Sequence, residues 1–287
     1  MKRLAVIGPG KVGRTLAKLF HQHQVYEIGA LVSVNPETAQ AAADFIGAGA
    51  QGGTLETADI VLIAVPDPVL ETVIAELAAK AIKPGAILAH TSGALGPDLF
   101  DVLAGQNVRT ACVHPVKAFS DPARSVATFD GTVTTLQGEA SACAELATAF
   151  SAIGGRTLEL SLDTDRTLYH AAIVFMANHL PTLVQAGLKT FAQAGISREA
   201  GFAIAGPILR DTLEAVLVNG PAAALTGPVA RGDALTVARH LEKLGHADTD
   251  LAALYAALAR ATADVSAEKG EASVDGLLAI RELTNPG

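Results

Sequence analysis

The chain is poor in cysteine, in clustered positive charge and in long apolar runs, and each shortage closes off a class of protein. Of its 287 residues two are cysteines, Cys112 and Cys143. A disulfide framework needs more of them at tighter spacing, so the expected compartment is a reducing cytoplasm. Lys and Arg number 21 against 29 Asp and Glu, a net charge of −8, and the isoelectric point is near 5.5. Nucleic-acid phosphates are held by basic patches, and no basic run of that kind occurs, so no nucleic-acid partner is expected. No uninterrupted apolar stretch reaches the ~20 residues of a membrane helix. Met1-Lys2-Arg3 leads into a short strand rather than the apolar core and cleavage site of a secretion signal. No membrane partner and no metal site are expected. Internal repeats and low-complexity linkers are missing as well.

What is present is apolar sequence, half of all residues, arranged in two styles. Leu4-Ala5-Val6-Ile7 is a continuous apolar run, as in a parallel strand buried on both faces. Helical spacing of Val12, Leu16, Leu19 and Phe20 follows. Strands are expected at 28–34, 60–65, 87–89, 110–113, 132–136 and 157–160, and helices from Pro36, over 69–81 and over 139–153. Such alternation predicts a doubly wound, mostly parallel α/β sheet. After residue 163 no strand-like run remains. Apolar residues recur at helical spacing over 168–191, 200–218 and 251–265, with Gly195, Gly220-Pro221 and Gly227-Pro228 between them. The expected division is therefore a Rossmann domain over 1–162 and an all-helical domain over 163–287.

Gly8-Pro9-Gly10-Lys11-Val12-Gly13 fits G-x-G-x-x-G between a strand and a helix. The first glycine allows the tight turn, the second lets backbone approach a pyrophosphate, and the third lets the helix pack on the strand. The helix N-terminus offers free N–H groups to phosphate. These six residues are the expected dinucleotide site. An NAD-preferring site usually places Asp or Glu about 20 residues on, to hold the ribose 2′-hydroxyl. The chain has Val32-Ser33-Val34-Asn35 there. Without a carboxylate to repel a 2′-phosphate, and with Ser33 and Asn35 as donors, NADP is the expected cofactor, NAD and a deazaflavin being the alternatives. No arginine follows this strand; Arg14 is a substitute in the first helical turn. Val65 and Pro66 end the next core strand, where they either border the nicotinamide or simply stop the strand.

Two polar clusters interrupt the apolar sequence, His90-Thr91-Ser92-Gly93 and His114-Pro115-Val116-Lys117, each expected just after a core strand. Hydride transfer to or from a carbonyl or imine needs a proton carrier near neutral pH, and histidine suits it. His114 is the candidate, with Ser92 as its hydrogen-bond partner; either is otherwise structural. His21, His23 and His246 read as surface or helix residues. In the long helix, Tyr169, His170 and Asn178 stand among apolar residues, and His170 and Asn178 share a face with Val174. They bind substrate or form a buried network. Thr226 and Arg231 lie on a polar loop, where Arg231 could clamp a substrate carboxylate. Asp233 reads as a helix cap.

Over nearly its whole length the chain resembles a bacterial family of Rossmann-like proteins with a helical C-terminal domain of unknown function. The likeness rests on Gly8 to Gly13, His90-Thr91-Ser92-Gly93-Ala94, His114-Pro115, Tyr169-His170-Ala171-Ala172, Ala177-Asn178, Leu225-Thr226-Gly227-Pro228 and Arg231-Gly232-Asp233. That family is similar in architecture to pyrroline-5-carboxylate reductase, ketopantoate reductase and the 6-phosphogluconate dehydrogenase superfamily. The resemblance implies NADPH or NAD as cofactor and dimerisation through the helical domain. Ser92 and His114-Pro115 resemble the serine and catalytic His-Pro of prephenate dehydrogenases. Thr226 is placed like a loop threonine of pyrroline-5-carboxylate reductase. His170 falls where ketopantoate reductases carry a catalytic lysine, so the substrate does not carry over. The expectation is an NADP-dependent homodimeric oxidoreductase acting on a small carboxylate-bearing keto or imino compound. The alternative is a non-catalytic NADP-binding sensor or scaffold.

Overall fold

Residues 1–285 are described in the computed structural model. The apolar runs form the strands they suggest, and their alternate side chains feed opposite faces of one sheet. Leu4, Val6, Ile60, Leu62, Ile87 and Ala89 point into one core layer. Ala5, Ile7, Val61, Ile63 and Leu88 point into the other. Period-2 alternation with both faces apolar is what burial under helices on each side demands.

In chain order the first unit contains β1 (Lys2–Ile7), α1 (Lys11–Gln22), β2 (Tyr26–Val32), α2 (Pro36–Ile46), β3 (Ala50–Gln51), β4 (Ile60–Ile63), α3 (Asp67–Leu77) and β5 (Ile87–His90). It continues with β6 (Arg109–Pro115), α4 (Pro122–Ala127), β7 (Val133–Gly138), α5 (Ala140–Ala152), β8 (Arg156–Glu159) and α6 (Arg166–Ile173). The eight strands are ordered β3-β2-β1-β4-β5-β6-β7-β8. Neighbours run parallel except β6 and β7, which are antiparallel. Strand order reverses between β1 and β4, and a ligand crevice forms beyond the carboxyl ends at such a switch point. Leu16, Phe20, Ile46, Leu146 and Phe150 cover one face, and Leu70, Ile74, Leu77, Phe100 and Leu103 the other.

Two boundaries differ from the sequence expectation in ways that matter. His90 and His114 are the penultimate or last residues of β5 and β6 rather than loop residues beyond them. The polar side chains did not end the strands, because backbone pairing continues through Cys112 and Thr135. The chain also divides after Asn178 rather than at 163. Gln137 Nε2 donates to the carbonyls of Ser161 and Leu162, and Asp165 caps α6 by accepting from Leu168 N–H. These bonds start α6 against the sheet, so α6 and the following π turn Val174–Asn178 belong to the first unit.

The second unit holds α7 (His179–Gln193), α8 (Arg198–Asn219), α9 (Pro221–Ala224), α10 (Ala234–Ala247), α11 (Thr249–Lys269) and α12 (Val274–Leu283). Val229, Val237, Ala259, Ala263, Leu277 and Ile280 form its core. The helix α7 buries Leu188 alone and α8 buries Gly201 alone, leaving Phe202, Ile208, Leu213 and Leu217 exposed. Across α6, the π turn and α7, the run Arg166–Gln193 is long and apolar enough to cross a membrane by length and composition. Its first turn, however, is fastened into the sheet unit through Arg166 and Tyr169.

Candidate functional site

The β1–α1 turn is built as a cradle. Gly8 adopts φ +79°, and a Cβ there would lie 2.7 Å from Val65 Cγ1 and 2.8 Å from the Ala64 carbonyl oxygen. A Cβ on Gly13 would lie 2.6 Å from the Gly8 carbonyl oxygen. Both positions need glycine so that turn, helix and β4 can close together. Gly10 differs: a Cβ there meets nothing closer than 4.0 Å, so its backbone is open to a ligand. It is the N-cap of α1 and makes no side-chain cap bond, which leaves the first N–H groups of α1 available to an anion. The residues therefore fit a dinucleotide pyrophosphate. Pro9 lines the same turn, while Lys11 is exposed beside it. Val12 packs against the core, so its contribution to this turn is backbone alone.

A cleft of about 780 Å³ opens from this turn, lined by Gly8, Gly10, Ser33, Val34, Val65 and Pro66 among others. That volume lies in the range of small-molecule and cofactor sites. Leu55, Val69 and Val73 give it an apolar wall. Val34, two residues beyond the end of β2, is fully exposed. Asn35 is outside this lining: its Oδ1 accepts from Glu37 N–H and caps α2, leaving its amide nitrogen as the donor. Arg14 Nε donates to the carbonyls of Pro9 and Gly10, 3.2 Å each, and so braces the turn.

His114 lies at the carboxyl end of β6, three strands along the sheet from β1. Its Nδ1 shares a hydrogen bond of 2.9 Å with the Tyr169 hydroxyl, which also bonds Thr135 Oγ1 at 3.2 Å. Thr135 faces His114 directly across the antiparallel β6–β7 pair. Nδ1 is thereby engaged, and Nε2 is the nitrogen left for exchange. A Cβ on Gly93 would sit 2.9 Å from His114 Nε2 and 2.7 Å from His170 Cδ2, so only glycine lets the β5 loop approach both rings. The two imidazole centroids are 6.2 Å apart. Burial, then the Arg166 charge, then His170 push the His114 imidazole down to about 4. It is therefore neutral at pH 7.

Ser92 does not orient His114. Its Oγ accepts from the N–H groups of Ala94 and Leu95, closing the loop after β5, and its carbonyl accepts from Arg166 Nη2 at 2.7 Å. A hydroxyl followed by glycine finds backbone N–H partners within its own turn before it finds a distant ring. Tyr169 takes the role instead. Sequence reading placed Tyr169 beside His170 but could not pair it with His114, because the link runs through the β6–β7 register. His90 is wholly buried, 3.0 Å from both the Gly96 carbonyl oxygen and Cys112 Sγ. Burial holds this imidazole down at about 4 and pushes the Cys112 thiol up to about 12, so both are uncharged at pH 7.

His170 is half-buried beside His114, and Asn178 is exposed. At 3.6 residues per turn, positions 170 and 178 drift about 80° apart. The π turn winds wider and reduces that drift, bringing Asn178 closer to the line of His170. Among the described residues Asn178 has no side-chain hydrogen bond. Thr226 and Arg231 lie exposed on a loop of the second unit, and Asp233 caps α10 through Thr236.

Two family models match the chain. A Rossmann-like domain covers residues 2–115, and a domain of unknown function, DUF2520, covers residues 132–262. No curated protein matches. Among solved structures, a candidate NADP oxidoreductase from Bacteroides fragilis superposes with a TM-score of 0.75 at 20% identity, covering 92% of this chain and 98% of its own. A protein from Thermotoga maritima gives 0.71 at 21%, covering 93% and 99%. A variant imine reductase from Myxococcus stipitatus, solved with NAD⁺, gives 0.61 at 19%, covering 98% and 99%.

Proposed function

From the matches to a Rossmann-like model and to DUF2520, we propose that this chain is an NADP-dependent oxidoreductase acting on a small carboxylate-bearing keto or imino compound. The observation that carries this reading is the pairing of the open Gly8–Gly13 cradle with the His114–Tyr169–Thr135 chain at the carboxyl edge of the same sheet. When bound, the cofactor supplies or takes up the hydride. Gly10 and the first turn of α1 hold its pyrophosphate, and the apolar wall around Val34 and Leu55 receives its adenine end. Tyr169 fixes the His114 ring through Nδ1, and His114 Nε2 exchanges the proton with the substrate oxygen or nitrogen. A positioned acid–base group of this kind contributes roughly 10²–10⁴ in rate. That the imine reductase and the Bacteroides protein share the architecture supports the reaction class.

The preference for NADP rests on the end of β2. Ser33, Thr38 and Lys80 are donors in the cleft wall; Glu56 and Glu76 line it too, but from the β3–β4 loop and α3 rather than from β2. Equilibrium titration tests it. NADPH is expected to bind at least several-fold tighter than NADH, and Gly10→Asp to lose both; a clear preference for NADH refutes the assignment.

The bare faces of α7 and α8 support a second element of the reading, a homodimer formed through the helical domain. Leu217 and Val218 are three-quarters exposed, and so large an unpartnered apolar surface is expected to meet a second copy.

A further inference from the structure

Arg166 is the first residue of α6 and is 5% exposed. Its Nη2 donates to the Ser92 carbonyl oxygen, and its Cζ lies 5.0 Å from the centroid of the Tyr169 ring. A guanidinium carries five N–H donors. Here Nε and Nη1 are closed off from solvent and have no hydrogen-bond partner among the described residues. Nor does Arg166 enter any of the ion pairs found there, which all use other cations. Asp67, exposed at the start of α3, is the carboxylate whose charge reaches Arg166, His90 and His114, and it pairs with none of them.

A buried cation without a counter-ion is costly, and proteins ordinarily pair it or do without it. This chain keeps one whose guanidinium lies against the Tyr169 ring, the ring that bonds His114, and whose charge reaches that imidazole. The imidazoles of His114 and His170 both flank Gly93, where the backbone presents no side chain. Arg166 makes these surroundings electropositive, with the exposed Asp67 the carboxylate whose charge opposes it. We propose that the space against His114 and His170 receives an anionic group, the carboxylate of the substrate, and that Arg166 is the charge that selects it. Direct contact is not required: in a partly desolvated setting a full charge acts over several ångströms. The identification of that anion as a substrate rests on the oxidoreductase reading; the anion site itself does not.

The test follows the imidazole NMR signals of His114 and His170 in the full chain during titration with pyruvate and with its neutral methyl ester, with and without NADPH. Pyruvate is expected to shift both signals, and the ester to bind at least tenfold more weakly. Arg166→Met should weaken pyruvate at least tenfold while NADPH affinity stays unchanged, and Arg166→Lys should restore most of the loss. Equal binding of acid and ester, no pyruvate shift in the wild type, or a Met variant that binds pyruvate normally would each overturn the proposal. If Arg166→Met does not fold, the acid–ester comparison and the Lys variant decide. Anion binding without any NADPH binding would sink the cofactor assignment and leave the anion site standing.

Discussion

One buried and one partly buried imidazole should make the fold sensitive to mild acid. His90 and His114 are both held at about 4, first by burial, against an ordinary value near 6.5. The unfolded chain therefore takes up these protons at a higher pH than the folded one. Their contribution is full above about pH 6.5 and is withdrawn as the pH falls toward 4. At about 1.4 kcal/mol for each unit of displacement, each imidazole costs the folded state roughly 3 kcal/mol across that window, and the two together roughly 6–7. The slope approaches 3 kcal/mol per pH unit between the two limits, which is large beside a typical stability of ~5–15 kcal/mol. Urea unfolding at pH 7.0, 6.0, 5.0 and 4.5 measures it. The free energy is expected to fall steeply below pH 6.5, and His114→Asn to remove about half of the slope. A profile that is flat from pH 7 to pH 4.5, or a slope unaltered in His114→Asn, would refute the claim that these rings are held neutral by the fold.

Gly13→Ala places a methyl group against the Gly8 carbonyl oxygen, 2.6 Å from it in the undisturbed backbone; overpacking of this kind costs about 1–3 kcal/mol, and thermal melts together with NADPH titration should show loss of stability and at least tenfold weaker binding. Tyr169→Phe strips Thr135 Oγ1, which is buried, and His114 Nδ1 of their shared partner; a loss of about 1–3 kcal/mol in urea unfolding is expected, along with a changed imidazole tautomer signal for His114, and neither should appear if the hydroxyl is incidental. Light scattering should report a dimer at micromolar concentration and a monomer for Leu217→Asp, a residue 76% exposed on α8; a wild-type monomer contradicts the dimer.

The parts of the molecule legible in the sequence are those specified by near neighbours. Ile60 to Val65 is apolar on both faces and can only be an inner strand, and the glycines of the β1–α1 turn answer to contacts within the turn and with Ala64 and Val65. Asp233 caps the helix that begins beside it. The chemistry end was less legible because its contacts span long sequence distances. Tyr169 reaches His114 and Thr135 only after β7 has been set antiparallel to β6, a register that no local pattern encodes. Ser92 pairs differently from the sequence expectation for the complementary reason: a local partner, the N–H of Ala94 and Leu95, outcompetes a distant one. Arg166 gives no sequence signal of its own, because its burial against Ser92 is invisible to spacing.

The central claim is that the glycine cradle and the His114–Tyr169 pair serve one bound cofactor. The most direct measurement is a crystal structure of the chain with NADPH. The account predicts the pyrophosphate on Gly10 and the first turn of α1, and the nicotinamide C4 facing a space bordered by His114 Nε2, close enough for a substrate atom to lie about 3–3.5 Å from each. Cofactor bound with its nicotinamide directed away from His114, or bound outside the cleft, would contradict it.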